Sequence, residues 1–213
     1  MSRITHHIPE QFLVAYAAGA LAHPFSLVVA AHVSLCDECR VRLAAHDSLG
    51  GAILDGHPSA MMDPSAKDAI FARLDDAMDD SQDTPHQRQG VYPGPIMDAL
   101  HGKSPRWRSV GKGVRQSILS SDKTGSARLL YIPPGQSVPD HGHNGIEMTL
   151  VLQGAFSDET GCFGVGDLEV ADETLDHTPV AEHGAPCICL AATDAPLKFN
   201  ALVPRILQPL FRI

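Results

Sequence analysis

Apolar positions fall into two textures along the chain. Residues 9 to 22 carry apolar side chains at helical spacing, with Pro9 suited to a first helical turn and Ala17, Ala18, Gly19 and Ala20 small enough for close helix packing. A second helix is expected from near Pro24 to about His46. Gly50-Gly51 and Gly56-His57-Pro58 then interrupt the pattern, and Asp63-Pro64-Ser65 looks like the start of a further helix that ends in the acidic run Asp75, Asp76, Asp79 and Asp80. Residues 1–80 therefore read as a small all-α unit. The stretch 81–95, SQDTPHQRQGVYPGP, is polar, rich in turn formers and without apolar periodicity, which is the signature of a linker. Beyond it come short apolar or alternating runs, Ala127 to Ile132, Met148 to Leu152, Cys187 to Ala191 and Leu197 to Leu202, separated by Gly, Pro and Asp. Such spacing predicts an antiparallel β-sandwich or barrel over 96–195, completed by 196–213. The fold class expected is α+β multidomain: a helical bundle followed by an all-β barrel.

One segment, Phe12 to Leu35, is apolar enough to suggest a membrane span. His23-Pro24 divides it and His32 lies inside it, so two buried helices are the better reading. With no basic segment or cleavage-like signal around it, a cytoplasmic protein is expected. A net charge of −9, from 16 Lys+Arg against 25 Asp+Glu, excludes a general nucleic-acid binder, because phosphates demand a cationic surface. The five cysteines, an odd number, do not suggest the disulfide framework of a secreted domain, and with 12 histidines they direct attention to metal.

In the helical half, His32, Cys36 and Cys39 are spaced at i, i+4 and i+7. On one continuous helix, at ~100° per residue, they share roughly a 60° arc. One imidazole and two thiols suit zinc, which prefers tetrahedral N/S donors and, in a structural site, four protein ligands. The fourth ligand would be His6 or His7, just ahead of the first helix. The competing reading is a buried core histidine beside two small apolar cysteines. A thioredoxin-like use of Cys36-x-x-Cys39 lacks the βαβ context it needs.

In the β-rich half the pattern is Gly135-x5-His141-x-His143-x3-Glu147-x6-Gly154. Strand alternation puts His141, His143 and Glu147 on one face, and His177 would complete a His3Glu set able to hold Zn, Mn or Fe inside a barrel. His183 is an alternative to His177. The spacing resembles the first cupin motif. The second motif keeps Gly166, Asp167 and His177, but Asp172, Thr174 and Ala181 replace its usual Pro, Gly and Asn, which puts the loop geometry in question.

Taken together, the His-x3-Cys-x2-Cys helix with an upstream His, the linker, the cupin-like half, and the segments AYAAGAL at 15 to 21 and FSLVVAAHVSLC at 25 to 36 resemble the ChrR family of zinc anti-sigma factors along nearly the whole chain. The resemblance implies zinc on His7, His32, Cys36 and Cys39 and a second zinc on His141, His143, Glu147 and His177. It implies a group IV (extracytoplasmic function) sigma factor as partner, with no direct nucleic-acid or membrane partner. It also implies release of that sigma factor through the cupin half in response to singlet oxygen or related oxidants. The helical half has the charge for this: residues 1–80 hold five Lys/Arg against eleven Asp/Glu, a net of −6. Phe12, Ile70, Phe71 and Leu74 are candidates for an apolar contact surface. Because zinc does not change redox state, an oxidant must act on ligands or thiols, and Cys187 and Cys189, on one strand face, are the candidate targets. The alternative is a metal-dependent cupin dioxygenase or isomerase with an appended regulatory domain. Oligomeric state is not legible.

Overall fold

The computed structural model describes residues 4–73 and 85–199. Among these, the chain forms α1 (Glu10–Ala17), α2 (His23–Leu35), α3 (Asp37–Asp55), α4 (Ala66–Ala72) and α5 (Gly94–Ala99), and then twelve antiparallel strands. A six-stranded sheet is ordered β1 (Arg108–Gly111), β2 (Val114–Asp122), β3 (Gly125–Ile132), β11 (Cys187–Thr193), β5 (Glu147–Gln153) and β8 (Leu168–Ala171). Two three-stranded sheets complete the β half. One is β10 (Val180–Ala181), β6 (Phe156–Ser157) and β7 (Cys162–Phe163); the other is β12 (Lys198–Phe199), β4 (His141–Gly142) and β9 (Asp176–His177).

The large sheet has two faces with different tasks. Ile132, Val151, Cys187 and Cys189 pack with Phe156, Phe163 and Ala181 of the smaller sheet, which forms the barrel interior. The alternate residues Leu129, Met148, Leu150, Ile188 and Leu190 belong to a second cluster with Leu13, Phe25, Val28 and Val29 of the helices. β11, buried on both faces, is a continuous apolar run for that reason. α2 lies across β11, β3 and β5 and is flanked by α1, α3 and α5. A helix enclosed on all sides is apolar all round, so burial explains the segment that resembled a membrane span. Among the described residues no helix is long and apolar enough to cross a membrane.

The expected second helix is broken. Cys36 has extended backbone (φ −110°, ψ 109°), ending α2 and preceding α3. Asp37 and Glu38 sit in the first turn of α3, where carboxylates stabilise a new N-terminus. His32, Cys36 and Cys39 therefore do not share one helical face. Within the expected linker, Gln89 and Tyr92 bridge a turn and Gly94 opens α5, which buries Ile96 and Met97. Phe12 is core, while Ile70 and Phe71 are 56% and 55% exposed. Leu74, the acidic run 75–80 and residues 200–202 lie outside the described residues.

Candidate metal centres

The first centre forms where three segments meet. His7, in extended chain before α1, comes against His32 in the last turn of α2 and against Cys36 and Cys39 at the α2–α3 break; all four donor atoms lie within 4.8 Å of one another. His7 Nδ1 is 3.3 Å from Cys36 Sγ and 3.7 Å from Cys39 Sγ. A tetrahedral ion with N and S bonds of about 2.0 to 2.3 Å has donor–donor edges of roughly 3.3 to 3.8 Å, so these spacings fit zinc. His32 is fully buried, and neither ring nitrogen has a hydrogen-bond partner among the described residues. The backbone of Gly166 is close enough to favour its charged form, yet not in hydrogen-bonding geometry. Orphaned buried nitrogens are costly unless something binds them.

Electrostatics point the same way. Burial, then the neighbouring His7, push His32 down to about 4, leaving the neutral imidazole a metal requires. Burial pushes the Cys39 thiol up to about 11, and the adjacent Cys36 adds to it. A cation between the sulfurs inverts that preference. Around the donors, Glu38 Oε2 is 3.3 Å from His7 Nε2, and Arg42 Nη1 donates to Cys39 Sγ at 3.9 Å. Carboxylates behind ligating imidazoles fix tautomer and ring orientation. His6 takes other partners: its ring lies 4.4 Å from that of Phe163, and its Nδ1 is 3.4 Å from Asp167.

The second centre lies in the barrel. β4 pairs with β9 so that His141 faces His177, and the chain beyond β4 returns His143. The Nε2 atoms converge, His143 to His177 at 3.2 Å and His177 to His141 at 3.3 Å. Three imidazole nitrogens aimed at one another also match the tetrahedral edge for N donors. Behind them, His141 Nδ1 contacts the Pro139 carbonyl at 2.8 Å and His177 Nδ1 contacts Asp158 Oδ2 at 2.6 Å. His143 Nδ1 has no hydrogen-bond partner among the described residues. Glu147 stands beside that atom, Oε2 at 3.7 Å, while its Oε1 accepts from Thr149 at 3.1 Å. The three histidines form one donor cluster, and Asp158, Glu169 and His177 form another.

Asp158 and Glu169 did not come from sequence reasoning. The available signal for Glu169 was a charged residue at an inward position of β8, between Leu168 and Val170. Burial raises Glu169 to about 7, whereas burial of His177 is outweighed by Glu169 and Asp158, which lift it to about 9. Burial lowers His141 and His143. Where the second cupin motif departs from its usual residues, Asp172 Oδ1 accepts from the Thr174 N–H at 2.9 Å, so an Asx turn shapes the loop that delivers His177. His183 instead packs by Gly135.

Cys187 and Cys189 are buried, with sulfurs 3.3 Å apart inside the barrel. The Cys187 sulfur, with burial, pushes the Cys189 thiol well up.

Comparison with known proteins gives three findings. A family model described as the ChrR cupin-like domain matches residues 97–195. The chain is 51% identical over 213 residues, 99% of each chain, to the anti-sigma-E factor ChrR of Cereibacter sphaeroides. It is similar to a crystal structure of Rhodobacter sphaeroides SigE in complex with the anti-sigma ChrR. That match has 49% identity and a TM-score of 0.80, covering 90% of this chain and 100% of that one.

Proposed function

We propose that this chain, which belongs to the ChrR family of anti-sigma factors, sequesters a group IV sigma factor through its helical half and releases it through its cupin half. The observation that carries the reading is the near full-length likeness to an anti-sigma protein solved with its sigma factor. Two features of the surface support it. α3 buries only Cys39 and presents Leu49, Ile53 and Leu54 to solvent, and Met61, Met62, Ile70 and Phe71 continue an exposed apolar series. Leu49 and Ile53, four residues apart, share one exposed face of α3, which makes that face a candidate contact surface. Residues 1–80 carry the net −6 noted above, complementary to the basic polymerase-facing and DNA-facing surfaces of a sigma factor.

In this reading residues 1–80 are the inhibitory unit, 81–95 the connection, and 96–195 with 196–213 the sensor. Zinc held by His7, His32, Cys36 and Cys39 supplies a structural cross-link that fixes the α2–α3 break against the chain before α1. A second zinc, or Mn or Fe, is held by His141, His143 and His177 with Glu147. The protein acts in the cytoplasm, where its partner meets polymerase, and regulates rather than catalyses.

Singlet oxygen or related oxidants are the signal. Two-electron oxidation of Cys187 and Cys189 would form their S–S bond, passing both electrons and both thiol protons to the oxidant, so that singlet oxygen leaves as hydrogen peroxide. Cys187 and Cys189 are buried inside the barrel, so an oxidant must enter it to reach them. Replacing both with Ser should leave sigma binding intact and abolish release by oxidant; unchanged release would refute the thiol step. The function itself is tested by titrating the zinc-quantified full chain with purified group IV sigma factors. A stable stoichiometric complex is expected, competed by core polymerase. No binding, together with turnover of a small substrate in the barrel, would overturn the reading.

A further inference from the structure

Residues 4–9 have no regular secondary structure, yet they carry His7, and a turn of the cupin half holds them. Both the Thr5 and His6 N–H groups donate to Asp167 Oδ1, at 2.7 and 2.9 Å. The other carboxylate oxygen accepts from the Gly164 N–H at 2.9 Å, which ties the acceptor to its own turn. One residue on, the Leu168 N–H donates to the His6 carbonyl at 3.2 Å. Ile4 covers Gly166 so closely that a Cβ there would lie 2.5 Å from its Cδ1, and His6 lies over Phe163. The next residue in the chain is His7, 3.3 Å from Cys36 Sγ. Two residues beyond Asp167, Glu169 Oε1 lies 3.4 Å from His177 Nδ1. A single strand start thus touches the segment of one centre and the imidazole of the other.

From this geometry we infer that Asp167 is a positioning residue for the first metal centre, supplied by the cupin half. The inference rests on the reading of His7, His32, Cys36 and Cys39 as a zinc site. The physical reason is that His32 and Cys39 sit on packed helices and Cys36 on the single residue between them, whereas His7 sits outside any helix or strand and depends on outside bonds for its place. A carboxylate accepting two backbone N–H groups makes short, charge-assisted bonds that fix direction as well as distance. Any movement of the 163–168 turn is passed on to the two residues ahead of His7. Groups that hydrogen-bond a ligand directly change metal affinity about 10- to 100-fold when removed, which sets the upper bound for a clasp that acts through the backbone.

The test follows zinc transfer from the full-length protein to a chromophoric chelator at neutral pH. The kinetic phase that Cys36→Ser abolishes belongs to the first centre. Asp167→Ala should accelerate that phase about tenfold, the lower end of the range for groups that bond a ligand directly, and leave the other phase unchanged. It should also raise amide exchange at Thr5 and His6, and Asp167→Asn, which keeps an acceptor oxygen, should restore most of both. Thr5→Pro removes both Thr5 donors, the N–H and the hydroxyl that lies 3.4 Å from Asp167 Oδ1, from the opposite side of the clasp without replacing a residue of the cupin turn, should act in the same direction, and decides the matter if Asp167→Ala does not fold. An unchanged first phase, or equal acceleration of both phases, overturns the inference. Absence of any phase sensitive to Cys36→Ser overturns the zinc reading beneath it, an outcome distinct from the other two.

Discussion

Leu190→Ala probes the joint between the two halves. Leu190 is fully buried on the outward face of β11, in the cluster that also contains Val28 and Val29 of α2. Losing three carbons at ~0.8 kcal/mol each removes about 2.4 kcal/mol of transfer free energy. The cavity adds to this, because the flanking Leu129 and Leu150 sit on paired strands that cannot collapse inward; the total should fall between about 3 and 5 kcal/mol. For a chain of this length that lowers Tm by roughly 6 to 20 °C. The informative assay is native-state hydrogen exchange followed by peptide. If one core spans both halves, protection should fall together in β3, β5, β11 and α2. Protection lost from the strands but unchanged in α2 would refute the shared core and leave two independent units joined by a linker.

Three further outcomes are expected. Burial opposes ionisation of Asp167, but the Thr5, His6 and Gly164 N–H groups outweigh it and hold the carboxyl below its ordinary value. A depressed acid contributes stability above its unfolded pKa and loses it as pH falls, so the Tm difference between the natural chain and Asp167→Asn should be flat from about pH 5.5 to 8 and shrink only below about pH 4; a difference that did not shrink in acid would refute the argument. Ile53→Asp, on the exposed face of α3, should weaken sigma binding about tenfold or more while leaving Tm and zinc content unchanged; unchanged affinity in a titration would remove α3 from the interface. Cys36→Ser should reduce bound metal, measured by elemental analysis, from two ions per chain to one and expose α1 and α2 to proteolysis; two ions retained would show that the thiols are not ligands.

Much of this architecture could be read from the chain because the signals are local. α1, β3, β5 and β11 follow apolar runs whose period is set by neighbours a few residues away, and His141, His143 and Cys36, Cys39 are donor types at short fixed spacings. Other features depend on distant partners. The break at Cys36 is invisible to periodicity, since Asp37 and Glu38 suit a helix interior surface as well as a helix start. α5 escapes notice because six residues starting Gly-Pro resemble a loop until Ile96 and Met97 find a core to enter. The choice between His6 and His7 turns on Asp167 and Phe163, about 160 residues away in sequence. Asp158 and Glu169 acquire meaning only when folding brings His177 between them.

The two faces of β11 suggest how a signal inside the barrel reaches the helices. Cys187 and Cys189 point inward, and Ile188 and Leu190 point outward into the helical core. Along a strand, residues two apart have Cα atoms about 6.6 Å apart, at the long end of what a disulfide tolerates. Joining the two sulfurs therefore requires the strand to pucker between them, and the residue at the pucker is Ile188. β11 already pairs irregularly with β5 at Ile188 and Cys189, while its register with β3 is regular there. Packed cores respond to such a displacement by repacking as a unit rather than by yielding gradually. Chemistry on the inner face would then be felt by α2 and, through His32, by the cluster of His7, His32, Cys36 and Cys39. The clasp at Asp167 gives the same cluster a second attachment to the barrel, through the two residues ahead of His7.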